Sequence, residues 1–240
     1  MFATYPRFVL SMPIKLVAGG TYDELKGDRL RLSKAFFRTN AFLIRSGFFV
    51  GGILALIAPE FIRLILGDKW LPMLDAFRLM LVYTLLDPIK LTVANVLTTS
   101  GAPQKVVRAR AVQLVVLLIG LASLGPWLGI SGIALAVDAM LVVGMAILLW
   151  QAKYYVDYSL LALFGVPTIA LIAGLGCSYA LLALVGIAGS DWLTGAVKLA
   201  IFSLIYSGTL FLLEREQFSI LVDIVNYLRP GERHAPQDED

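Results

Sequence analysis

One cysteine and one histidine stand in a chain of 240 residues. Cys177 lies inside an apolar run with no second cysteine to meet, so a disulfide framework and a cysteine-based metal site within the chain are excluded. His234 sits near the C-terminus, far from any apolar segment, and a multi-histidine metal site is excluded with it. Charge is equally scarce. Asp, Glu, Lys and Arg make up 15% of the residues, against about 25% in soluble domains. Hydrophobic residues reach 59% and the mean hydropathy is +0.82. So few charges cannot coat a water-exposed surface. The composition is that of an all-α, polytopic transmembrane helix bundle. No P-loop is present, so ATP hydrolysis within the chain is not expected. No basic surface interleaved with aromatic residues points to nucleic acid. No long polar loop offers a catalytic cluster, so the chain reads as a non-enzyme without catalytic residues, cofactor or metal.

What is present is a series of apolar runs, each near the roughly 20 residues that cross a bilayer core of about 30 Å. Six spans are expected: Ala41–Ile57, Leu74–Thr98, Ala111–Leu124, Ser131–Trp150, Leu160–Val185 and Ala196–Leu213. Residues 1–40 form a basic lead-in. Within it, Leu25, Leu30, Leu32, Phe36 and Phe37 give an amphipathic stripe suited to a helix that lies at a headgroup surface and runs into the next span. Residues 41–152 hold four spans and 153–214 two more. Residues 215–240 read as an amphipathic helix over Phe218–Leu228, stopped by Arg229-Pro230-Gly231, and a polar tail. The segment Pro59–Leu71 is too short to cross and reads as an interfacial turn.

The basic residues are unevenly placed. Fourteen of the 20 fall in the termini and alternate loops (1–40, 99–110, 151–158, 214–240), and two, Arg63 and Lys69, in the opposite loops. The positive-inside bias then puts both termini in the cytoplasm. Trp70, Trp127 and Trp192 fall at the outer interface.

Charges inside spans are costly and are the candidate site. Asp87 and Lys90 are three residues apart and share a helix face. Pro88 lies between them and should kink or break the helix. Arg78, nine residues before Asp87, points to the far side of a straight helix. It either binds an anionic group at the outer mouth or snorkels outward. Asp138 lies within the fourth span, with no basic residue of its own helix within a turn. It faces a water-filled cavity, where it can couple an ion, pairs across helices, or is protonated. Arg45 lies near a span boundary and reads as snorkelling. The small-residue faces Gly132, Ala136, Ala139 and Gly174, Ser178 read as packing surfaces.

Several stretches in order resemble one family. They are LKGDRLRLSKAFFR with Asp28-Arg29, the Ala58-Pro59-Glu60 break, Gly67-Asp68-Lys69-Trp70-Leu71-Pro72, LVYTLLDPIKLTVANVLTTSGAPQ, and Gly129-Ile130-Ser131-Gly132. Over residues 20–150 the chain resembles the C-terminal half of polysaccharide flippases of the multidrug/oligosaccharidyl-lipid/polysaccharide superfamily. The resemblance implies two pseudo-symmetric six-helix bundles around a cavity, with two extra C-terminal helices, and the six spans of this chain correspond to the ninth to fourteenth helices. The N-terminal bundle is then a separate chain, or this is a gene fragment. It implies flipping of a polyprenyl-pyrophosphate-linked oligosaccharide for polysaccharide or lipopolysaccharide export across the bacterial inner membrane. Implied partners are that lipid-linked oligosaccharide, membrane lipids and glycan-assembly proteins. Arg78, Lys90 and Asp87 are the implied substrate-binding candidates, although many relatives carry Arg where this chain has Asp87. A multidrug exporter of the same superfamily and a non-transporting remnant or scaffold are the alternative readings.

Overall fold

The computed structural model describes Tyr22, Leu25, residues 27–185 and residues 191–214. The tail helix expected over Phe218–Leu228 and most of the lead-in before Gly27 lie outside these residues. Every element among the described residues is helical. Helix α1 runs Arg29–Phe61, a π-helical turn Ile62–Leu66 follows, and then a 3-10 segment Asp68–Met73. Helix α2 runs Leu74–Thr99, and α3 runs Pro103–Ala152. A second π-helical turn, Leu161–Gly165, leads into α4, Val166–Val185, and α5 runs Asp191–Leu213.

Capping chemistry sets several of these ends. Asp28 opens α1, its carboxylate accepting from the amides of Leu30 and Arg31 at 3.0 and 3.1 Å. Gly101, with φ +79°, lets the chain leave α2, and the Ala102 amide returns to the Leu97 carbonyl at 2.9 Å. Pro103 then starts α3 at a position whose amide would have had no helical partner.

Five helical segments among the described residues are long and apolar enough to cross a membrane, where the sequence suggests six. The difference lies in α3, whose helical run joins the expected Ala111–Leu124 and Ser131–Trp150. Fifty straight residues would reach about 75 Å. Instead α3 folds back at Gly129, whose φ of 57° and ψ of −132° are not helical. The two arms then pack antiparallel. A Cβ on Gly120 would lie 2.8 Å from that of Ala136, and one on Gly132 only 2.1 Å from the Leu124 carbonyl oxygen. Further from the tip, Gln113 fills the space beside Gly144. Gly132 and Ala136 are therefore packing positions, as their spacing suggests, while Ala139 is exposed.

The breaks expected at two prolines are not found. Pro88 does not break α2, which is helical on both sides of it. Packing against α1 and α3 holds the helix through the one lost backbone bond. Pro59 likewise lies inside α1, and the chain turns only at Gly67, φ +90°. From Arg29 onward the lead-in runs into the first span as expected, being the start of α1, but it does not lie on a surface: Leu32 and Phe36 are buried in the bundle.

Helix α1 is the centre of the molecule. It packs on α2 along one side and on α4 and α5 along another, while the α3 hairpin packs on α2. One core cluster joins Phe36, Ile44, Val93, Leu97, Ala109 and Leu148. A second joins Leu56, Ala170, Phe202, Tyr206 and Leu210. Glycines permit the close approaches: Gly51 sits against Leu85, and Gly52 and Gly174 against Phe202. The segment after α3 is tied to the start of α1. Asp157 pairs with Arg29 at 2.8 Å, and its amide donates to Ser33 at 2.8 Å. Tyr158 packs on Phe36 and donates to the Leu149 carbonyl, and burial pushes its hydroxyl up to about 12, so it remains a donor.

Candidate functional site

The charged groups buried in this apolar bundle fall into two sets, one on each side of α1. The first set lies between α1, α2 and the hairpin. Residues 78, 85 and 92 of α2 recur every seven positions and all meet α1. Arg78 donates to the Ala55 carbonyl at 3.2 Å, Leu85 packs on Gly51, and Thr92 donates to Asn40 at 2.6 Å. At 100° per residue, Tyr83, Asp87 and Lys90 occupy roughly the opposite side of α2, where the hairpin packs.

There Lys90 Nζ lies 2.5 Å from Asp87 Oδ1, and both side chains are buried. The same ammonium stands 5.4 Å from the centre of the Tyr83 ring. This cation–π contact holds the ammonium against the Tyr83 ring. Asp138 reaches α2 from the second arm of the hairpin. It is buried and hydrogen-bonded to the backbone of Tyr83, and its Oδ1 has no hydrogen-bond partner among the described residues. Thus Asp87, Lys90 and Asp138, all candidates from the sequence, are gathered around Tyr83 at one interface. Such a cluster can hold a cation or a proton against Asp138, and can offer an ammonium to an anion.

Arg78 is not part of it. Its guanidinium also donates to the Tyr179 hydroxyl on α4 at 3.2 Å, so it links α1, α2 and α4. The two basic candidates stand on opposite sides of α2 and do not converge on one ligand within this bundle.

The second set went unrecognised in the sequence. Arg45 does not snorkel. It binds Glu214 through two parallel bonds of 2.6 Å, with the side chains 6% and 8% exposed. Lys198 on α5 pairs with Glu60 on α1 at 2.5 Å, also buried. The partners run antiparallel. Arg45 and Glu60 are 15 residues apart on α1, and Lys198 and Glu214 are 16 apart on α5 and its end. Either spacing is about 22–24 Å of helix. One ion pair therefore pins each end of the α1–α5 contact, with Tyr206 donating to the Arg45 carbonyl at 2.8 Å. The matching intervals of opposite charge were the available signal.

Among the described residues no group of three His, Cys, Asp or Glu side chains is placed to hold a metal ion. Comparison with family models, with curated proteins and with solved structures finds no match to this chain.

Proposed function

We propose that this bundle is the C-terminal half of a flippase that moves a polyprenyl-pyrophosphate-linked oligosaccharide across the bacterial inner membrane. The buried cluster of Asp87, Lys90 and Asp138 carries the reading. Ionisable groups in lipid-spanning helices are retained where they serve an ion or substrate path. The resemblance over residues 20–150 supplies the cargo. Lys90 and Arg78 then meet the anionic cargo at different points of its path, Asp87 holds Lys90, and Asp138 binds the coupling ion. No bond is made or broken. Alternating access would rock this bundle against an N-terminal one.

The expected experiment is export of the lipid-linked oligosaccharide in cells carrying the complete transporter. Lys90→Gln and Arg78→Gln should each lower export about tenfold or more, the effect of one lost contact of ~1.4 kcal/mol. Membrane abundance should stay unchanged. Full export in both variants would reject the reading.

The topology proposed for this function has six crossings, the hairpin arms counting as two, and both termini in the cytoplasm. It is supported by the basic residues Arg29, Lys105 and Lys153, which gather at the end of the bundle opposite Trp70, Trp127 and Trp192. Reporter fusions after Gly189 and after Pro236 should lie on opposite sides of the membrane. Finding them on one side would exclude the arrangement.

A further inference from the structure

Near the tryptophan-bearing end, α1 and α5 diverge and leave a groove of about 280 Å³. Its walls are apolar: Ile57, Phe61, Leu64 and Ile65 on one side, Ala196 and Leu199 on the other, with Trp192 at the rim. That volume is at the lower limit of small-molecule pockets, roughly 300–1,000 Å³. It suits a stretch of one hydrocarbon chain better than a whole amphiphile.

The groove also has a polar feature. Glu60 lines it and is only 8% exposed. Its Oε1 is taken by Lys198, but its Oε2 is buried and has no hydrogen-bond partner among the described residues. A carboxylate oxygen left in this way costs about 1–3 kcal/mol, more for a charged group. An incoming N–H donor would remove that cost, and an ammonium would add charge complementarity. Glu60 lies seven residues before the turn at Gly67, so it stands about 10 Å of helix from that end of the bundle. Gly195 leaves the approach open, since even a Cβ there would come no closer than 3.9 Å to Glu60.

We propose that this groove binds a membrane lipid with a primary-ammonium headgroup, its acyl chain along Ile57, Phe61 and Leu199 and its ammonium donating to Glu60 Oε2. The inference rests on the membrane location of the chain, and not on what the chain transports. Choline lipids carry the same charge but no N–H. Anionic glycerol lipids carry the wrong charge.

The full-length protein would be extracted from membranes with phosphatidylethanolamine, its N-methylated series up to phosphatidylcholine, and phosphatidylglycerol. Lipid retained per chain would be read by native mass spectrometry. The ethanolamine lipid should be held about tenfold more than the choline lipid, with retention falling as methyl groups replace protons. Gly195→Leu, which fills the groove and leaves the Glu60–Lys198 pair intact, should abolish the preference. Equal retention of the ethanolamine and choline lipids by the unaltered protein would overturn the proposal, and so would a preference that survives Gly195→Leu. Alkaline extraction of the same membranes separates the two levels of failure. A chain that washes out is not a membrane protein, whereas one that stays but does not discriminate refutes this site alone.

Discussion

Replacing Arg45 by Met is expected to destabilise the bundle by about 3–5 kcal/mol, because it strands a buried carboxylate. Glu214 is 8% exposed and takes both of its short bonds from this guanidinium. Removing the cation leaves Glu214 to be buried alone or to pull the end of α5 outward. The expected result for the pair is different. Arg45→Met with Glu214→Met removes both charges and keeps apolar volume, and such replacements of buried pairs are often neutral or stabilising. The double variant should therefore recover most of the loss, giving a coupling energy of several kcal/mol in the cycle, well above the ~0.3–0.5 kcal/mol expected of independent sites. Thermal unfolding of the detergent-solubilised chain would measure it. An additive cycle, or a cost below about 1 kcal/mol for the single change, would show that the pair does not hold α5 in place.

Asp138→Asn is expected to uncouple transport without unfolding the protein. The carboxylate is buried on the second arm of the hairpin, bonded on one side to the Tyr83 backbone and without a partner at Oδ1 among the described residues. At the middle of a bilayer an unpaired carboxylate costs at least about 2.5–3.5 kcal/mol on insertion scales. Asparagine has nearly the same shape and keeps one carbonyl oxygen for Tyr83. It removes most of that cost, so insertion and fold should be preserved or slightly improved. What asparagine cannot do is bind and release a proton or balance a metal cation. Export by the complete transporter would be followed against the ion gradient in both forms. Loss of gradient dependence in an abundant, folded variant is the expected outcome. The same rate and the same gradient dependence in both forms would remove Asp138 from the mechanism. A loss of stability would instead mark the residue as a structural pair.

The helical class and the approximate places of the helices were legible in the residues because apolar length is a local quantity. Leu74–Thr98 was expected and α2 is Leu74–Thr99. The i, i+3 spacing of Asp87 and Lys90 likewise put their pairing within reach of the sequence, since one helix turn decides it. The opposed directions of Arg78 and Asp87 followed from the same 3.6-residue period, and held because α2 stays helical through Pro88. That last point was misjudged. A proline's effect on a helix depends on what packs against it, which no local pattern states.

The remaining features depend on contacts between distant segments. Arg45 was read as reaching for the surface because its partner, Glu214, is 169 residues away. Only the antiparallel register of α1 on α5 brings them together, and the same register sets Lys198 beside Glu60. Asp138 has no cation within a turn of its own helix. It joins Asp87 and Lys90 around Tyr83 because the chain reverses at Gly129 and the hairpin lies along α2. Composition and periodicity thus determined that this is an all-helical protein with helices apolar enough for a membrane, and which charges are out of place in them. Apart from the Asp87–Lys90 pair, it took tertiary structure to decide which of those charges neutralise one another and which keep an open valence. Burial makes an ionic group costly at any point along the chain, but the partner that offsets the cost is set by how helices cross.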